Sequence, residues 1–166
     1  MYCMFRERLT FARPRGGKVE FSTTASRTIL GNRQTDRRST ESGGLLLGRL
    51  VEGTMDVVVD EATEPTAYDR RRRFFFGRVR APAQKRVDTA WKQSSGTRNY
   101  LGEWHTHPEP NPHPSSHDVR EWVRVSQEAI YEQDALLFVI VGIEIVGVWE
   151  VVKASRAVAR LDNVRQ

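Results

Sequence analysis

The sequence has little cysteine and no long apolar run. Cys3 is the single cysteine among 166 residues, so an internal disulfide is impossible, which is typical of a reducing cytoplasm. No apolar stretch reaches the roughly 18 residues that a membrane-spanning helix needs. The first residues include Arg6, Glu7 and Arg8 and lack the apolar core of a signal peptide. We therefore expect a cytoplasmic protein that does not enter a membrane.

The chain also has a small net charge and neither a linker nor an internal repeat. Lys and Arg number 26 against 21 Asp and Glu, a net charge of +5. This balance permits contact with nucleic acid but is more typical of a solvated basic face. Hydrophobic residues make up 39% and aromatic residues 9%, as in ordinary globular domains. A chain of this length suits one hydrophobic core, so we predict a single domain over residues 1–166.

Histidine is scarce as well, and its distribution is uneven. All four histidines lie in one stretch, at His105, His107, His113 and His117. Side chains alternate along a strand, so His105 and His107 point to the same face. Pro108 ends that strand because it has no N–H for the ladder. Asp118 follows a proline-rich loop, and two histidines with one carboxylate form a zinc ligand set that leaves the fourth tetrahedral position to water.

The same residues have simpler interpretations. His-x-His can be a surface pair, and Ser115-x-x-Asp118 can be a helix N-terminus, because this spacing resembles a capping box. We expect His113 and His117 on a loop or helix surface, since three protein ligands already complete a catalytic zinc site. Glu103 shares the face of the first two histidines by alternation, so it is predicted either beside the ligands or in solvent.

A second segment, upstream, completes a longer pattern. Glu41 is followed by Gly44, Leu46 and Gly48, the spacing Glu-x-x-Gly-x-Leu-x-Gly. With His-Thr-His-Pro at 105–108 and Ser-x-x-Asp at 115–118, it resembles the JAMM motif of the JAB/MPN metalloprotease family, with every position filled. The sequence of residues 100–116 resembles the corresponding sequences of a narrower group. Its members are short bacterial JAB proteins encoded beside cGAS-like nucleotidyltransferases in CBASS anti-phage operons.

This resemblance implies a fold, a cofactor and residue roles. The fold implied is a curved mixed sheet with helices packed around it. The cofactor implied is one Zn²⁺ per chain, bound by His105, His107 and Asp118. Glu41 is implied as the group that moves the proton, and the Ser115 hydroxyl as a donor to the developing oxyanion.

The activity implied is that of a zinc metalloprotease acting as an isopeptidase. It would cleave after the C-terminus of a ubiquitin-like protein or a cGAS-like nucleotidyltransferase joined to another protein. The partner implied is therefore a protein substrate with an extended C-terminal tail, in the bacterial cytoplasm. Two alternatives stay within the family. One is a peptidase that processes another ubiquitin-like or sulfur-carrier tail, and the other is a non-catalytic MPN binding module, although such modules typically lack metal ligands that this chain retains.

The run of four arginines and three phenylalanines at 70–76 suggests a different class of function. Such a run can bind a phosphate backbone and stack bases. We favour a simpler interpretation, in which the phenylalanines belong to the core and the arginines are solvated or face an acidic partner. Nucleic-acid binding is therefore not expected. A zinc deaminase is disfavoured too, because the His-x-Glu and Pro-Cys-x-x-Cys pattern is absent.

Periodicity predicts an α/β or α+β layered domain, because strands alternate with helices. Helices are predicted at 22–33, 83–93 and 116–132, and strands at 44–50, 55–59, 99–107, 135–141 and 143–152, with a hairpin over 5–22. Trp104 is expected in the core, and Glu41 is expected at or just before the start of its strand. Residues 60–68 are predicted as a loop, and the pattern of residues 153–166 assigns no element.

Overall fold

The computed structural model describes residues 8–164, and its helices and strands interleave along the chain. The helices are α1 (Thr23–Gly31), α2 (Arg80–Gln93) and α3 (Ser116–Glu128). The strands are β1 (Thr10–Ala12), β2 (Lys18–Phe21), β3 (Gly43–Leu50), β4 (Val57–Ala62), β5 (Arg70–Arg72), β6 (Phe75–Gly77), β7 (Asn99–Thr106), β8 (Ala135–Val141), β9 (Val146–Val152), β10 (Val158–Arg160) and β11 (Asp162–Asn163). Cys3 and the beginning of the predicted hairpin lie outside the described residues.

One mixed, curved sheet organises the fold. Its strand order is β10-β9-β8-β7-β3-β4-β2-β1-β11, and β5 with β6 forms a separate two-stranded ladder. The pairs β2–β4 and β7–β8 are parallel, whereas the other neighbours in the large sheet are antiparallel. The predicted α/β class with a curved mixed sheet is confirmed.

The C-terminal segment brings the two edges of this sheet together. Strands β10 and β11 stand at opposite ends of the strand order, although only Leu161 separates them in the chain. Leu161 is buried, and its N–H donates to the Val148 carbonyl at 2.9 Å. The stretch that periodicity left unassigned therefore nearly closes the sheet.

The alternation of side chains along the central strands divides the core into two sides. Leu46, Leu101 and Val139 face the side where α1 packs through Ala25 and Ile29. Other residues of the same strands face the opposite side, where α3 and α2 cover them. Strand β8 is covered on both faces, and all of its residues are buried. This explains why its sequence, Ala-Leu-Leu-Phe-Val-Ile-Val, is apolar throughout.

Most predicted elements are present, with shifts at their ends. Helix α1 begins after Ser22, whose hydroxyl accepts from the Ala25 N–H, and the strand pair β3–β4 is antiparallel as predicted. Strand β4 continues to residue 62, into the stretch predicted as a loop, and β9 begins three residues later than expected. Helix α3 ends at Glu128, so its predicted end at residue 132 is wrong, and Ile130, beyond the helix, is 98% exposed.

Each helix of residues 8–164 is too short or too polar to cross a lipid bilayer.

Candidate metal centre and catalytic cleft

The end of strand β7 presents two histidines to one side. The Nε2 atoms of His105 and His107 lie 3.0 Å apart, and the ring planes are inclined by 59°. Thr106, between them, is fully buried on the other face. Pro108 follows the strand without continuing it. The pairing of the two imidazoles that alternation predicted is confirmed.

The carboxylate of Asp118 completes this group from the first turn of α3. Its Oδ1 lies 3.3 Å from Nε2 of His105, and its Oδ2 lies 3.5 Å from Nε2 of His107. Zinc bonds of about 2.0–2.1 Å at tetrahedral angles place neighbouring ligand atoms about 3.3 Å apart. The three side chains therefore fit the ligand set of a metal ion, and they form a group whose ligand atoms all lie within 4.8 Å of one another.

Ser115 fixes the orientation of the Asp118 carboxylate. The backbone N–H and the hydroxyl of Ser115 both donate to Oδ2 of Asp118, at 2.7 and 2.6 Å, while the Asp118 N–H donates back to the hydroxyl at 3.1 Å. This is the capping box that the spacing predicted. Burial opposes ionisation, but the hydrogen bonds from His105 and Ser115 outweigh it and hold the pKa of Asp118 well below its ordinary value.

The surroundings of His107 favour its neutral form, the form in which histidine binds a metal ion. Burial lowers its pKa, and the neighbouring His105 lowers it further. The negative charges of Asp118 and Glu109 and the backbone of His113 oppose this shift of the pKa without reversing it. The side chain of His113 is itself exposed and lies near the Asn111 carbonyl, and His117 is exposed on α3. Neither joins the ligand group, in agreement with the sequence analysis.

Glu41 lies just before β3 and borders the same cleft as the ligands. It is 6% exposed, and its N–H donates to the Arg72 carbonyl at 2.8 Å. Burial, together with the negative charges of Asp118 and Glu109, raises its pKa from 4.5 to about 8. A carboxylate with such a pKa is suited to accept and return a proton near neutral pH.

The two glycines after Glu41 permit close packing around it. A Cβ on Gly44 would lie 2.1 Å from the Thr63 carbonyl oxygen, and one on Gly43 would lie 2.6 Å from the Phe76 ring. The same Thr63 carbonyl accepts from the indole N–H of Trp104, which is buried as predicted. Glycine is therefore required where β3 enters the sheet.

The cleft that contains these groups has a volume of about 710 Å³. One of its walls is the hairpin β5–β6, through residues 74–78. The prediction that the phenylalanines of this hairpin belong to the core is wrong, since Phe74 is 73% and Phe75 40% exposed. Phe74 and Phe75 belong to a hairpin separate from the main sheet, whereas the Phe76 ring packs against Gly43 and is partly buried.

Glu103 forms a hydrogen bond and an ion pair that neither predicted alternative included. It accepts from the Tyr100 hydroxyl at 3.0 Å and pairs with Arg78, directly after the hairpin. It lies at the edge of the cleft and anchors one end of the hairpin to β7. No local pattern indicates the contact with Arg78, because Glu103 and Arg78 belong to segments that are distant in the chain.

This chain is similar to a protein family, to several named proteins and to solved structures. The family described as prokaryotic homologs of the JAB domain matches residues 26–155. A Pseudomonas aeruginosa protein named CD-NTase/cGAS isopeptidase is 41% identical over 124 residues, which are 75% of this chain and 77% of that protein. A Vibrio cholerae protein of the same name is 39% identical over 114 residues, 69% of each chain. A solution structure of a Desulfitobacterium hafniense protein has a TM-score of 0.56 at 17% identity, over 86% of this chain and 88% of that one.

These comparisons differ in what they establish. The structural likeness, at low identity, concerns the fold alone. The family match covers more than half of the chain and includes every residue from Glu41 to Asp118. We conclude that this chain belongs to the family of prokaryotic JAB-domain proteins.

Proposed function

We propose that this protein is a zinc-dependent isopeptidase that releases proteins joined to the C-terminus of a cGAS-like nucleotidyltransferase or a ubiquitin-like protein. One observation carries the proposal: His105, His107 and Asp118 converge in a cleft that the Glu41 carboxylate also borders. Relatives at 39–41% identity bear the name CD-NTase/cGAS isopeptidase, which supports the substrate class. The setting we propose is anti-phage (CBASS) defence in the bacterial cytoplasm.

The chemistry follows from the groups around the cleft. One Zn²⁺ per chain, held by the three ligands, supplies Lewis acidity and a water of lowered pKa. Glu41 accepts a proton when the water oxygen attacks the amide carbonyl. As the C–N bond breaks, Glu41 delivers that proton to the departing amine nitrogen. Its buried position at the edge of the cleft suits both transfers.

Ser115 has two duties in this proposal, and they compete for its hydroxyl proton. In the structure that proton is directed at Oδ2 of Asp118. Donation to an oxyanion requires the hydroxyl to rotate, while its oxygen continues to accept from the Asp118 N–H. The backbone N–H of Ser115 still holds the carboxylate during this rotation. The loss of one oxyanion donor typically lowers kcat by a factor of about 10² to 10³.

Two of the four arginines at 70–73 form side-chain hydrogen bonds within the chain. Arg71 donates to the Glu41 carbonyl and the Ser42 hydroxyl, and Arg73 donates to the Arg37 carbonyl. These guanidinium groups are engaged within the chain, which supports a protein substrate over a nucleic acid. A salt titration with labelled single-stranded DNA should therefore show no more than weak, non-specific binding.

Cleavage of a defined fusion tests the activity. A cGAS-like nucleotidyltransferase fused through its C-terminus to a test protein should be cut at the junction, and both a chelator and Glu41→Gln should prevent the cut. An intact fusion under conditions where a sulfur-carrier fusion is cut would move the substrate to the alternative class. A wild-type protein that cuts neither fusion when loaded with zinc would favour a binding module.

Elemental analysis tests the metal centre separately. The purified protein should contain about one zinc per chain. His107→Ala should lose the metal, whereas the matched variants His113→Ala and His117→Ala should keep it. Full activity in protein from which the metal has been removed would contradict the proposal.

A further inference from the structure

A buried chain of hydrogen bonds lies behind the metal-binding face of β7. Thr106 is fully buried, and its hydroxyl accepts from the Ser42 N–H at 3.0 Å. The same hydroxyl donates to Oε1 of Gln34 at 2.9 Å, and the Thr106 N–H donates to the Ser42 carbonyl at 2.9 Å. The residue between the two histidines is thereby joined to the residue after Glu41.

Gln34 is the other end of this chain, and it is 2% exposed. Its Nε2 donates to the Arg73 carbonyl at 3.0 Å, in the turn of the hairpin β5–β6, and to the Ser39 carbonyl at 3.2 Å. Both amide hydrogens and the amide oxygen are therefore used. A buried polar network that is fully satisfied in this way rigidifies the groups that it connects.

Glu41 needs such support because it precedes the first ladder residue of β3. Gly43 is the first residue that pairs with β7, opposite His105. The Glu41 backbone is held instead by the hairpin, through its N–H to Arg72 and its carbonyl to the Arg71 guanidinium at 2.8 Å. The hairpin is in turn fixed by Gln34, so one amide connects the ligand strand, the Glu41 segment and the cleft wall.

We infer that Gln34 and Thr106 are positioning residues, which set the Glu41 carboxylate against the metal ligands and hold the hairpin beside the cleft. This inference rests on the function proposed above. Thr106 acts on Glu41 through Ser42 alone, whereas Gln34 acts on both Thr106 and the hairpin. The two residues should therefore have different kinetic effects. A displacement of about 1 Å in a catalytic group can cost roughly 10²-fold in rate.

Thr106→Val tests the effect of Thr106 on Glu41, because valine keeps the shape of the side chain and removes the hydroxyl. It leaves the Ser42 N–H and the Gln34 oxygen unpaired, so kcat on the fusion substrate should fall about 10- to 100-fold with KM unchanged. Thr106→Ser restores the hydroxyl and should recover most of the lost kcat. Gln34→Leu releases the hairpin as well, so KM should rise in addition to the fall in kcat. Zinc content, measured for each variant, should stay at the wild-type level.

A control variant separates positioning from simple loss of stability. Ser126→Ala removes a buried hydroxyl that donates to the Val123 carbonyl at 2.8 Å, far from Glu41 in the chain. It should change the unfolding midpoint and leave kcat at the wild-type value. Wild-type kcat in folded, zinc-loaded Thr106→Val would overturn the inference alone, provided that Glu41→Gln is inactive. A wild-type protein that cuts no fusion, or an active Glu41→Gln, would overturn the proposed function and the inference together.

Discussion

Replacement of Trp122 by alanine should weaken both the fold and the metal site. Trp122 lies in α3, one turn after Asp118, and it is 4% exposed. Its ring stacks on Phe138 with centroids 5.0 Å apart and planes inclined by 15°. It also meets Trp149 at 5.5 Å. These contacts dock the helix that carries Asp118 onto the strands β8 and β9.

The expected magnitude follows from the depth of this packing. Truncation of a buried tryptophan to alanine costs about 3–5 kcal/mol, because apolar contacts are lost and a cavity remains. Each aromatic pair contributes about 0.5–1.5 kcal/mol beyond the buried area. Since a domain is stable by only about 5–15 kcal/mol, Trp122→Ala should lose a large part of that margin. At this chain length the loss corresponds to a fall in Tm of roughly 6–20 °C.

The metal affinity should fall with the stability. A loosened α3 no longer holds Asp118 at a fixed distance from the histidines, so the competition of a coloured chelator for zinc should become more effective. Trp122→Phe keeps a ring on Phe138 and should have a smaller effect on both measurements. The control is Trp91→Ala, because Trp91 is 43% exposed on α2 and should cost about 1 kcal/mol or less.

Equal midpoints of Trp122→Ala and Trp91→Ala in urea unfolding would show that the packing of Trp122 does not stabilise the fold. Wild-type zinc affinity in a strongly destabilised Trp122→Ala would refute the link between this packing and the metal site. The second result would mean that the first turn of α3 is held by the Ser115 cap and the ligands alone.

Three further predictions concern single positions. Gly102→Ala should be destabilised by about 3 kcal/mol or more in urea unfolding, because the residue has φ of +146° and a Cβ would lie 1.8 Å from a β8 carbonyl oxygen. The control is Gly31→Ala, which should keep the wild-type midpoint because its Cβ meets nothing within 4 Å. In metal-stripped protein the pKa of Glu41 is raised to about 8, so folding favours its protonated form. The contribution of Glu41 to the free energy of unfolding is therefore fully present below about pH 4.5 and is lost as the pH rises through about 8. Glu41→Gln should remove this loss, and equal pH profiles would contradict the assignment. Ser115→Ala should cost about 1 kcal/mol as a lost helix cap and should weaken zinc binding about 10-fold in the chelator assay; an unchanged affinity would show that Asp118 does not depend on the cap.

Local periodicity was sufficient to predict the elements that contain one strong sequence pattern. The alternation of β7 predicted that His105 and Trp104 face opposite sides, and both placements are confirmed. The apolar run of β8 predicted a buried strand with the correct ends. The spacing of Ser115 and Asp118 predicted a capping box, because that motif depends on one helical turn. In each case the physical cause lies within a few residues.

Contacts between distant segments were not predictable in this way. Three consecutive phenylalanines look the same in sequence whether they fill a core or line a cleft, and only the tertiary fold shows that Phe74 is exposed. Gln34 lies in the polar stretch between α1 and β3, and nothing local distinguishes it from its neighbours. Its role depends on Thr106 and Arg73, which approach it only after the sheet and the hairpin have formed.

The register between β3 and β7 explains why the two motif segments meet. These strands are antiparallel, with Gly43 opposite His105, so the start of β3 lies beside the end of β7. Glu41 then reaches the level of His107, one of the three candidate metal ligands. A slip of one residue would turn every side chain of β3 to the other face. Gly44 opposes that slip, because only glycine fits between Trp104 and the Thr63 carbonyl. The glycines of the upstream motif thus favour the register that brings the Glu41 segment to the candidate metal ligands.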